Sequence, residues 1–378
     1  MMIDRHTRWL CPDWLFDGQH LRAGMALRIT PAGAQEICAR TDLPTDAQCL
    51  PVAGTITPGY LDLQVNGGGD VLLNNDPSLQ GMRAIAAAHR KFGTVGILPT
   101  VITDAPQVLA AAVAAALDAK GAQGILGLHI EGPHISLPRR GTHAVEFIRP
   151  LDATTIAHVA RLRAAGIAVM ITLAPEAVQP GQIAALVAMG AIVSIGHSDA
   201  DSADIEPLLA EGASCFTHLF NAMSPMLNRA PGVTGAAINS TAYCGFICDG
   251  HHVADEMLAL AIRARPVPDR MFLVSDAMST VGGSDHFSLY GQELRLVAGR
   301  LVNAEGSLAG AHVTMAQSVA RLISVLGMPP EAALRMAVTV PAMVLSAPHL
   351  AGVVGRALQD LLVLGADWMP IGTCADLA

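Results

Sequence analysis

Residues 55–67, TITPGYLDLQVNG, mark the point at which the character of the sequence changes. Before them, residues 1–55 hold short β-like pieces such as MALRIT and QCLPVAG, broken by Pro, Gly and Asp, with no convincing helix. After them, short apolar runs alternate with longer Ala-rich stretches whose spacing favours helices. We interpret the quoted stretch as the first strand of a repeating strand–helix domain.

Eight apolar runs qualify as strand candidates, and most are followed by a candidate helix. The runs are YLDLQVN, GILPTVIT, ILGLHIE, AVMITLAPE, AIVSIGHS, SCFTHLFNA, YCGFICDG and RMFLVSDA. This alternation predicts βαβ units and a parallel sheet, and eight such units close naturally into a (β/α)₈ TIM-like barrel. A doubly wound open sheet is the rival fold, but no GxGxxG follows the first strand and no GxxxxGK[ST] occurs.

The candidate elements divide this α/β chain into a barrel and a small β domain that both chain ends build. We assign residues 1–55 and 346–378 to the small domain, which we expect to be a β-sandwich, and residues 56–345 to the barrel. A β-hairpin insertion is expected near residues 287–310, after the eighth strand. The tail segment LQDLLVLGADW is a candidate for the last strand.

Composition excludes several classes of protein. With 378 residues, 52% hydrophobic and 15% charged, the chain can bury a large core and is too apolar for disorder. The net charge of −9 argues against nucleic-acid binding, which usually requires a basic face. The seven cysteines are scattered and include no CxxC pair, which argues against a disulfide framework and against a zinc ribbon.

The chain also lacks the segments that mark export or membrane insertion. The start, MMIDRHTRWL, has no signal-peptide core. No apolar run approaches the ~20 residues that a membrane helix needs. We therefore expect a cytoplasmic protein without a membrane partner.

Polar residues gather where the predicted strands end. In a barrel all strands deliver their C-terminal ends to one rim, where catalytic groups lie. Taken singly, each such residue has an ordinary explanation, for example a histidine bonded to a backbone carbonyl or an aspartate at a helix N-cap. Together they are harder to explain, because charged groups at a dry rim cost stability unless they are paired or ligating. The rim residues are Gln64, Asn66, Glu131, His197, His218, Asn221, Asp249, His252 and Asp276.

This set of residues suits metal-assisted hydrolysis. Two imidazoles and a carboxylate can hold a zinc-like ion with an open position for water. The ion lowers the pKa of its water to ~7, and an aspartate of pKa ~4 can take the proton and return it to the leaving group. Glu131 is therefore predicted to be a metal ligand, although the chain lacks the compact HExxH signature.

Several motifs resemble those of N-acetylglucosamine-6-phosphate deacetylases, in the amidohydrolase superfamily. They are PGYLDLQVNG, HIEGPHI with RRGTHA, TLAPE, GHSDA, THLFNAM with NRAPG, DGHHV and LVSDAM, in order over residues 55–345. The resemblance implies a (β/α)₈ barrel with a small β-sandwich domain from both chain ends. It also implies metal-dependent hydrolysis of the acetamide of N-acetylglucosamine 6-phosphate, which yields glucosamine 6-phosphate and acetate.

The resemblance assigns roles to individual residues. It implies Glu131, His197 and His218 as ligands of one divalent ion, which would be zinc, iron or another metal. Asp276 would be the general base and then the acid, and His143 would contact the substrate near the scissile amide. The residues implied in substrate binding are Thr142, His143, Asn221, Ala222, Arg229, Asp249, His252, Leu308, Ala309 and Gly310.

Three further expectations follow from the resemblance. Arg229 would reach the phosphate group in a neighbouring subunit's site, so a homodimer is expected. Gln64 and Asn66 stand where many amidohydrolases hold a second metal with HxH, and amides are poor zinc ligands, which favours one ion per subunit. The C-terminal segment GRALQDLLVLGADWMP matches the family only loosely, which leaves open how the small domain is completed.

Two alternatives remain open at this point. The chain could hydrolyse another amide, a cyclic imide or the galacto isomer, N-acetylgalactosamine 6-phosphate. It could also be a non-catalytic barrel that binds a sugar phosphate, although such a protein has no need of Asp276.

Overall fold

The computed structural model describes residues 8–302 and 308–377. Residues 1–7, part of the predicted small domain, and residues 303–307, part of the predicted insertion, lie outside the described residues, as does residue 378. The N-terminal strands are β1 (Arg8–Phe16), β2 (Leu21–Ala23), β3 (Met25–Thr30), β4 (Gly33–Ala39) and β5 (Cys49–Pro58).

A second group of strands builds the barrel, with a short hairpin, β7 and β8, after its first strand. These strands are β6 (Tyr60–Val65), β7 (Gly67–Gly68), β8 (Val71–Leu72), β9 (Thr94–Ile102), β10 (Gly127–Glu131), β11 (Ala168–Leu173), β12 (Ile192–Ile195), β13 (Cys215–Phe216), β14 (Tyr243–Phe246) and β15 (Met271–Leu273). The eight barrel strands pair in the order β6-β9-β10-β11-β12-β13-β14-β15, and every pair is parallel. Every residue of β6, β9 and β10 is buried, as expected for parallel strands covered on both faces.

Helices cover the outside of the barrel and begin at residues suited to cap them. Ser78 and Asp152 accept backbone N–H bonds at the starts of α1 and α3, which satisfies amides that lack a partner within the helix. The helices are α1 (Leu79–Arg90), α2 (Pro106–Asp118), α3 (Ala153–Ala164), α4 (Gln182–Ala188), α5 (Ser202–Ala210), α6 (Gly232–Asn239), α7 (Asp255–Ala264), α8 (Met315–Ser324), α9 (Pro330–Leu334) and α10 (Val340–Val344), with a π turn (Arg335–Thr339) joining the last two. None of these helices is both long and apolar enough to cross a bilayer.

The barrel closes where its first and last strands meet. The N–H groups of Asn66 and Gly67 donate to the carbonyl of Ala277, both at 2.9 Å, and the N–H of Asp276 donates to the carbonyl of Gln64 at 3.0 Å. This seam brings the QVN segment of the first strand beside the aspartate that follows the eighth. The predicted (β/α)₈ barrel is confirmed.

Three strands follow the eighth barrel strand, where the sequence predicts a hairpin insertion. They are β16 (His286–Leu289), β17 (Gln292–Val297) and β18 (Arg300–Val302), and they form an antiparallel sheet, which we call the insertion sheet. Leu289, Leu294 and Leu301 of this sheet pack in one cluster with Ile102 and Met278 at the barrel rim. The insertion sheet is therefore fixed against the end of the barrel that carries the polar residues.

Both chain ends build one seven-stranded sheet, where the sequence predicts a β-sandwich. The C-terminal strands β19 (Leu361–Leu364) and β20 (Pro370–Thr373) extend it, and β19 pairs antiparallel with β5. The segment LQDLLVLGADW thus supplies a strand despite its loose match to the family. The sheet has a hydrophobic core of its own, to which Leu10, Ile56 and Val363 belong.

One cysteine pairing departs from the sequence analysis. Cys11 of β1 and Cys49 of β5 form a disulfide, on neighbouring strands whose Cα atoms lie 6.2 Å apart. The scattered spacing of the cysteines gave no indication of it, because only the pairing of β1 with β5 brings the two thiols together. In the described part of the chain the other five cysteines are free.

Candidate active site

Three side chains from the ends of three barrel strands converge on one point. Glu131 is the last residue of β10, and His197 and His218 follow β12 and β13. Glu131 Oε1 lies 3.2 Å from His197 Nε2 and 3.0 Å from His218 Nε2, and the two Nε2 atoms are 3.0 Å apart. We call these atoms the ligand triangle. Its edges are close to the separation of about 3.4 Å between neighbouring ligand atoms of a tetrahedral zinc ion.

The hydrogen bonds around the ligand triangle leave two of its three atoms, His197 Nε2 and Glu131 Oε1, without a proton of their own. His197 donates its Nδ1–H to the backbone carbonyl of Arg139 at 2.9 Å, so its Nε2 carries a lone pair. The Glu131 oxygen can only accept a hydrogen bond. Among the three corners of the triangle, therefore, only His218 Nε2 can donate a proton to its neighbours. A divalent cation supplies the positive charge that this arrangement lacks. Two imidazoles and a carboxylate also form a donor set of catalytic zinc sites, so the residues fit a metal ion.

The protonation of the triangle also favours a cation. Burial by itself raises the pKa of Glu131, but the neighbouring His197 and His218 outweigh it and hold the pKa well below its usual range. For His218, burial lowers the pKa, and the hydrogen bond and charge of Glu131 outweigh that effect and raise it. The site therefore keeps a buried carboxylate charged and draws positive charge towards it.

Asp276 lies beside the triangle and is held by the two amides of the first strand. Gln64 Nε2 donates to Glu131 Oε1 at 2.9 Å and to Asp276 Oδ1 at 3.2 Å, and Asn66 Nδ2 donates to Asp276 Oδ1 at 2.7 Å. Burial, followed by the charge of Glu131, raises the pKa of Asp276 above its ordinary value. Gln64 thus bridges the two carboxylates, and both amides orient Asp276, which lies outside the triangle and is free to exchange a proton.

A third histidine, His143, borders the same point. Its ring centroid lies 4.5 Å from that of His197, and Glu131, His143 and His197 each offer a ligand atom within 4.8 Å of the others. Burial, and next the charge of His197, lower the pKa of His143 to about 3, so the ring is neutral. Two ligand sets are thus possible, which share Glu131 and His197. The shorter distances favour His218 as the third ligand.

The backbone at the rim is strained where the predicted ligands lie. His197, His218 and Asp276 have φ of 49°, 30° and 51°, and Ala222 has φ of 52°. Residues other than glycine cost about 1–3 kcal/mol each in such sparsely populated conformations, and these persist where the surroundings over-determine them. The hydrogen bonds of the triangle and of Asp276 supply that constraint. Such strain clusters at functional sites, which supports the placement of the site here.

A cavity of about 190 Å³ opens above the triangle. The predicted site residues that line it are Asn66, Glu131, Thr142, His143, His197, His218, Asn221, Ala222, His252, Asp276, Leu308 and Gly310. Larger hollows of about 640 and 410 Å³ lie against the insertion sheet and between α4 and α5, and neither contains a residue of the triangle. The smaller cavity is identified as the candidate site by the ionisable side chains that line it and not by its volume.

Four predicted site residues do not line the cavity. Gln64 lies beneath it and bonds both carboxylates, and Ala309 is buried behind Leu308 and Gly310. Asp249 accepts the Nδ1–H of His252 at 2.6 Å and so orients that ring towards the cavity. Arg229 is exposed on the loop before α6 and does not contact the cavity of its own chain.

Sequence comparisons identify relatives over most of the chain. An N-acetylgalactosamine-6-phosphate deacetylase from Shewanella sp. (strain ANA-3) is 40% identical over 319 residues, 83% of this chain and 80% of that protein. The N-acetylglucosamine-6-phosphate deacetylase of Danio rerio is 32% identical over 326 residues, 82% of this chain and 80% of its own. This chain belongs to the N-acetylglucosamine-6-phosphate deacetylase family. The resemblance found in the motifs is thereby confirmed.

Solved structures of the N-acetylglucosamine-6-phosphate deacetylase family share the whole architecture. The enzyme from Pasteurella multocida superposes with a TM-score of 0.89 at 31% identity, and the match covers 97% of both chains. No protein-family model matches the chain. The enzymes of this family are metal-dependent amidohydrolases, in agreement with a site that fits a metal ion.

Two other histidines of this deacetylase-family chain flank Glu131 but do not reach the triangle. His129 lies between the carbonyl of Leu63, at 3.1 Å, and the hydroxyl of Thr172, at 2.8 Å. His134 lies between the carbonyl of Arg149 and the hydroxyl of Thr155. Both are bonded through both ring nitrogens, so we assign them structural roles.

Sequence reasoning missed two residues near the cavity. Thr103 follows β9 and bonds His143, and Tyr290 at the tip of the insertion sheet donates to the carbonyl of Thr103. Thr103 ends the run GILPTVIT at the position where other strands carry rim residues, so its signal was present. The position of Tyr290 gave no signal, because it depends on how the insertion sheet packs.

Proposed function

We propose that this protein hydrolyses the acetamide of N-acetylglucosamine 6-phosphate to glucosamine 6-phosphate and acetate. The observation that carries the proposal is the ligand triangle of Glu131, His197 and His218 with the carboxylate of Asp276 beside it at one barrel rim. Membership of the deacetylase family supports the choice of substrate class.

A divalent ion, which we propose to be zinc, would be held by the three triangle residues and would activate water as a nucleophile near neutral pH. Asp276 would take a proton from the attacking water and return it to the departing amine nitrogen. Gln64 and Asn66 would keep its carboxylate oriented for both transfers. A single ion per subunit suits this site, because the amides of Gln64 and Asn66, which are poor zinc ligands, stand where a second ion would need its ligands.

The remaining predicted residues would bind and orient the substrate. His143 would contact the acetamide carbonyl, and Thr142, Leu308 and Gly310 would form the wall around the sugar, with Ala309 supporting it from behind. Asn221 and Ala222 would meet the phosphate end, with His252 held in place by Asp249. Neutral binding groups near the amide and donors near the phosphate would match the charge distribution of the substrate.

The proposed function predicts a strong preference for the phosphate ester. Zinc-loaded protein should release acetate from N-acetylglucosamine 6-phosphate with kcat/KM at least about 100-fold above that for unphosphorylated N-acetylglucosamine, because charged hydrogen bonds to the phosphate would be lost. Acetate release measured with both sugars under identical conditions checks this. Equal rates, or none, would mean that the substrate is wrong although the metal site stands.

The galacto isomer is a second candidate. The relative that is 40% identical is an N-acetylgalactosamine-6-phosphate deacetylase, whereas the relative that is 32% identical acts, by its name, on the gluco compound. The two substrates differ only in the configuration of one hydroxyl, which the ligand triangle does not sense. The same acetate assay with N-acetylgalactosamine 6-phosphate decides between them through the ratio of kcat/KM.

We propose a homodimer in which Arg229 enters the neighbouring subunit's site. Arg229→Ala should lower kcat/KM for the phosphorylated substrate by about 10–100-fold through KM, since a charged hydrogen bond is lost. Mixing Arg229→Ala chains with Asp276→Asn chains should restore activity, because one site of each mixed dimer then has an intact Asp276 and an intact arginine from the partner. Sedimentation gives the oligomeric state. Mixtures no more active than the sum of the two parents would show that Arg229 does not act across an interface.

A further inference from the structure

Thr103 makes one hydrogen bond that decides the chemistry of His143. Its side chain is fully buried, and its hydroxyl lies 2.6 Å from His143 Nδ1. Within the described residues this nitrogen is the only hydrogen-bond partner of the Thr103 hydroxyl. A buried hydroxyl with one acceptor in reach donates its proton to that acceptor. Nδ1 of His143 is therefore the acceptor, and the ring proton lies on Nε2.

We infer that Thr103 is a positioning residue that holds His143 in the Nε2–H tautomer and so makes it a hydrogen-bond donor to the substrate carbonyl rather than a metal ligand. The inference rests on the proposed function and deepens it. A histidine ligand must present a lone pair to the ion. With Nδ1 occupied by the Thr103 hydroxyl and Nε2 protonated, His143 presents none.

The opposite tautomer is disfavoured by the surroundings of both residues. If His143 Nδ1 donated to Thr103, the hydroxyl proton would be buried without an acceptor among the described residues, which costs stability. The ring would then carry a free lone pair on Nε2, as a metal ligand requires. The hydrogen bond with Thr103 thus distinguishes His143 from His218, although both histidines border the same point.

One neighbour fixes the backbone of Thr103, and another leaves room for its hydroxyl. The hydroxyl of Tyr290 donates to its backbone carbonyl, which ties it to the insertion sheet. On the other side lies Gly132, in a left-handed conformation with φ of +77°, where an added Cβ would lie 2.2 Å from Thr103 Oγ1. A glycine after Glu131 is thus required for the Thr103 hydroxyl to reach His143. This gives a physical reason for the EG pair in the third strand's motif.

Thr103→Val tests the inference, with Thr103→Ser as the matched control that keeps the hydroxyl. In the zinc-loaded enzyme, Thr103→Val should lower kcat by about 10–100-fold, the size typical of partners that orient active-site histidines, with little change in KM. Metal content and the urea unfolding midpoint should stay at the wild-type values. Thr103→Ser should retain most of the activity. In a His143→Ala background, Thr103→Val should cause no further loss.

A readout that does not depend on activity accompanies the kinetics. In the zinc-loaded protein with ¹⁵N-labelled histidine, the ring of His143, assigned by its loss in His143→Ala, should show a protonated Nε2 and an unprotonated Nδ1. Thr103→Val should shift that pattern towards a tautomer mixture. A wild-type ring protonated on Nδ1, an equal loss of activity in the His143→Ala background, or loss of the ion from Thr103→Val would each overturn the inference.

The experiments distinguish a failure of the proposed function from a failure of the role proposed for Thr103. If the wild-type protein releases no acetate from either sugar phosphate, the proposed function fails, whereas the NMR result still decides the tautomer. If the wild type is active and Thr103→Val is fully active as well, the proposed function stands and the role of Thr103 does not.

Discussion

Replacing Asp276 by Asn is expected to lower kcat by roughly 10³–10⁴-fold while the bound metal ion stays in place. The amide has the shape of the carboxylate, and its oxygen can still accept hydrogen bonds from Gln64 and Asn66. It cannot take a proton from water or return one to the amine, so both proton transfers lose their carrier. Turnover is measured as acetate release, and the ion as metal per chain by mass spectrometry.

Asp285→Asn is the control for this substitution. Asp285 lies just before β16, where its carboxyl group is exposed and bonded only to the neighbouring His286 within the described residues. It should therefore change neither turnover nor metal content. Near wild-type turnover of Asp276→Asn would refute the assignment of Asp276 as base and acid. Loss of the ion from that variant would instead make Asp276 a ligand.

Removal of the metal ion is the second change with a large expected effect. Chelated protein should lose at least about 10³-fold in turnover, because the activation of water near neutral pH depends on the ion, and added zinc should restore it. Among single substitutions, His218→Ala should abolish both metal binding and activity. His143→Ala should reduce activity but keep the ion, because His143 lies outside the ligand triangle.

Metal content per chain separates the two possible ligand sets. His286→Ala, at an exposed histidine of the insertion sheet, serves as the control and should retain one ion. If His143→Ala loses the ion and His218→Ala keeps it, the ligands are Glu131, His143 and His197, and both the triangle and the inference about Thr103 are wrong. Activity that survives chelation with no ion bound would remove the metal from the reaction altogether.

Much of the fold could be predicted because it depends on local patterns. A parallel strand buried on both faces is a short apolar run, and the chain shows eight of these with helices between most of them. The rim residues were found by the same means, since the end of each run is visible in the sequence. Glu131 was placed at the end of its strand on this basis, and it is the last residue of β10.

The details of the site could not be predicted, because they depend on contacts between distant segments. Gln64 and Asp276 are 212 residues apart in the chain, and only the closing of the barrel lets one amide bridge two carboxylates. In the sequence, His129 and His134 are closer to Glu131 than His197 and His218 are. In the structure, however, both bind backbone carbonyls and threonine hydroxyls. A histidine that is close in sequence to Glu131 is thus not necessarily part of the ligand triangle.

The sequence by itself determined the alternation of strands and helices, the rim that would carry the chemistry and the types of side chain available there, because periodicity and strand ends are local properties. The tertiary structure decided which of these side chains meet. It pairs Cys11 with Cys49, joins β19 to β5, and brings Tyr290 of the insertion sheet over Thr103. It also decides the tautomer of His143, since a proton's position is set by the groups around it, and Thr103, which lies 40 residues earlier in the chain, meets His143 only in the folded protein.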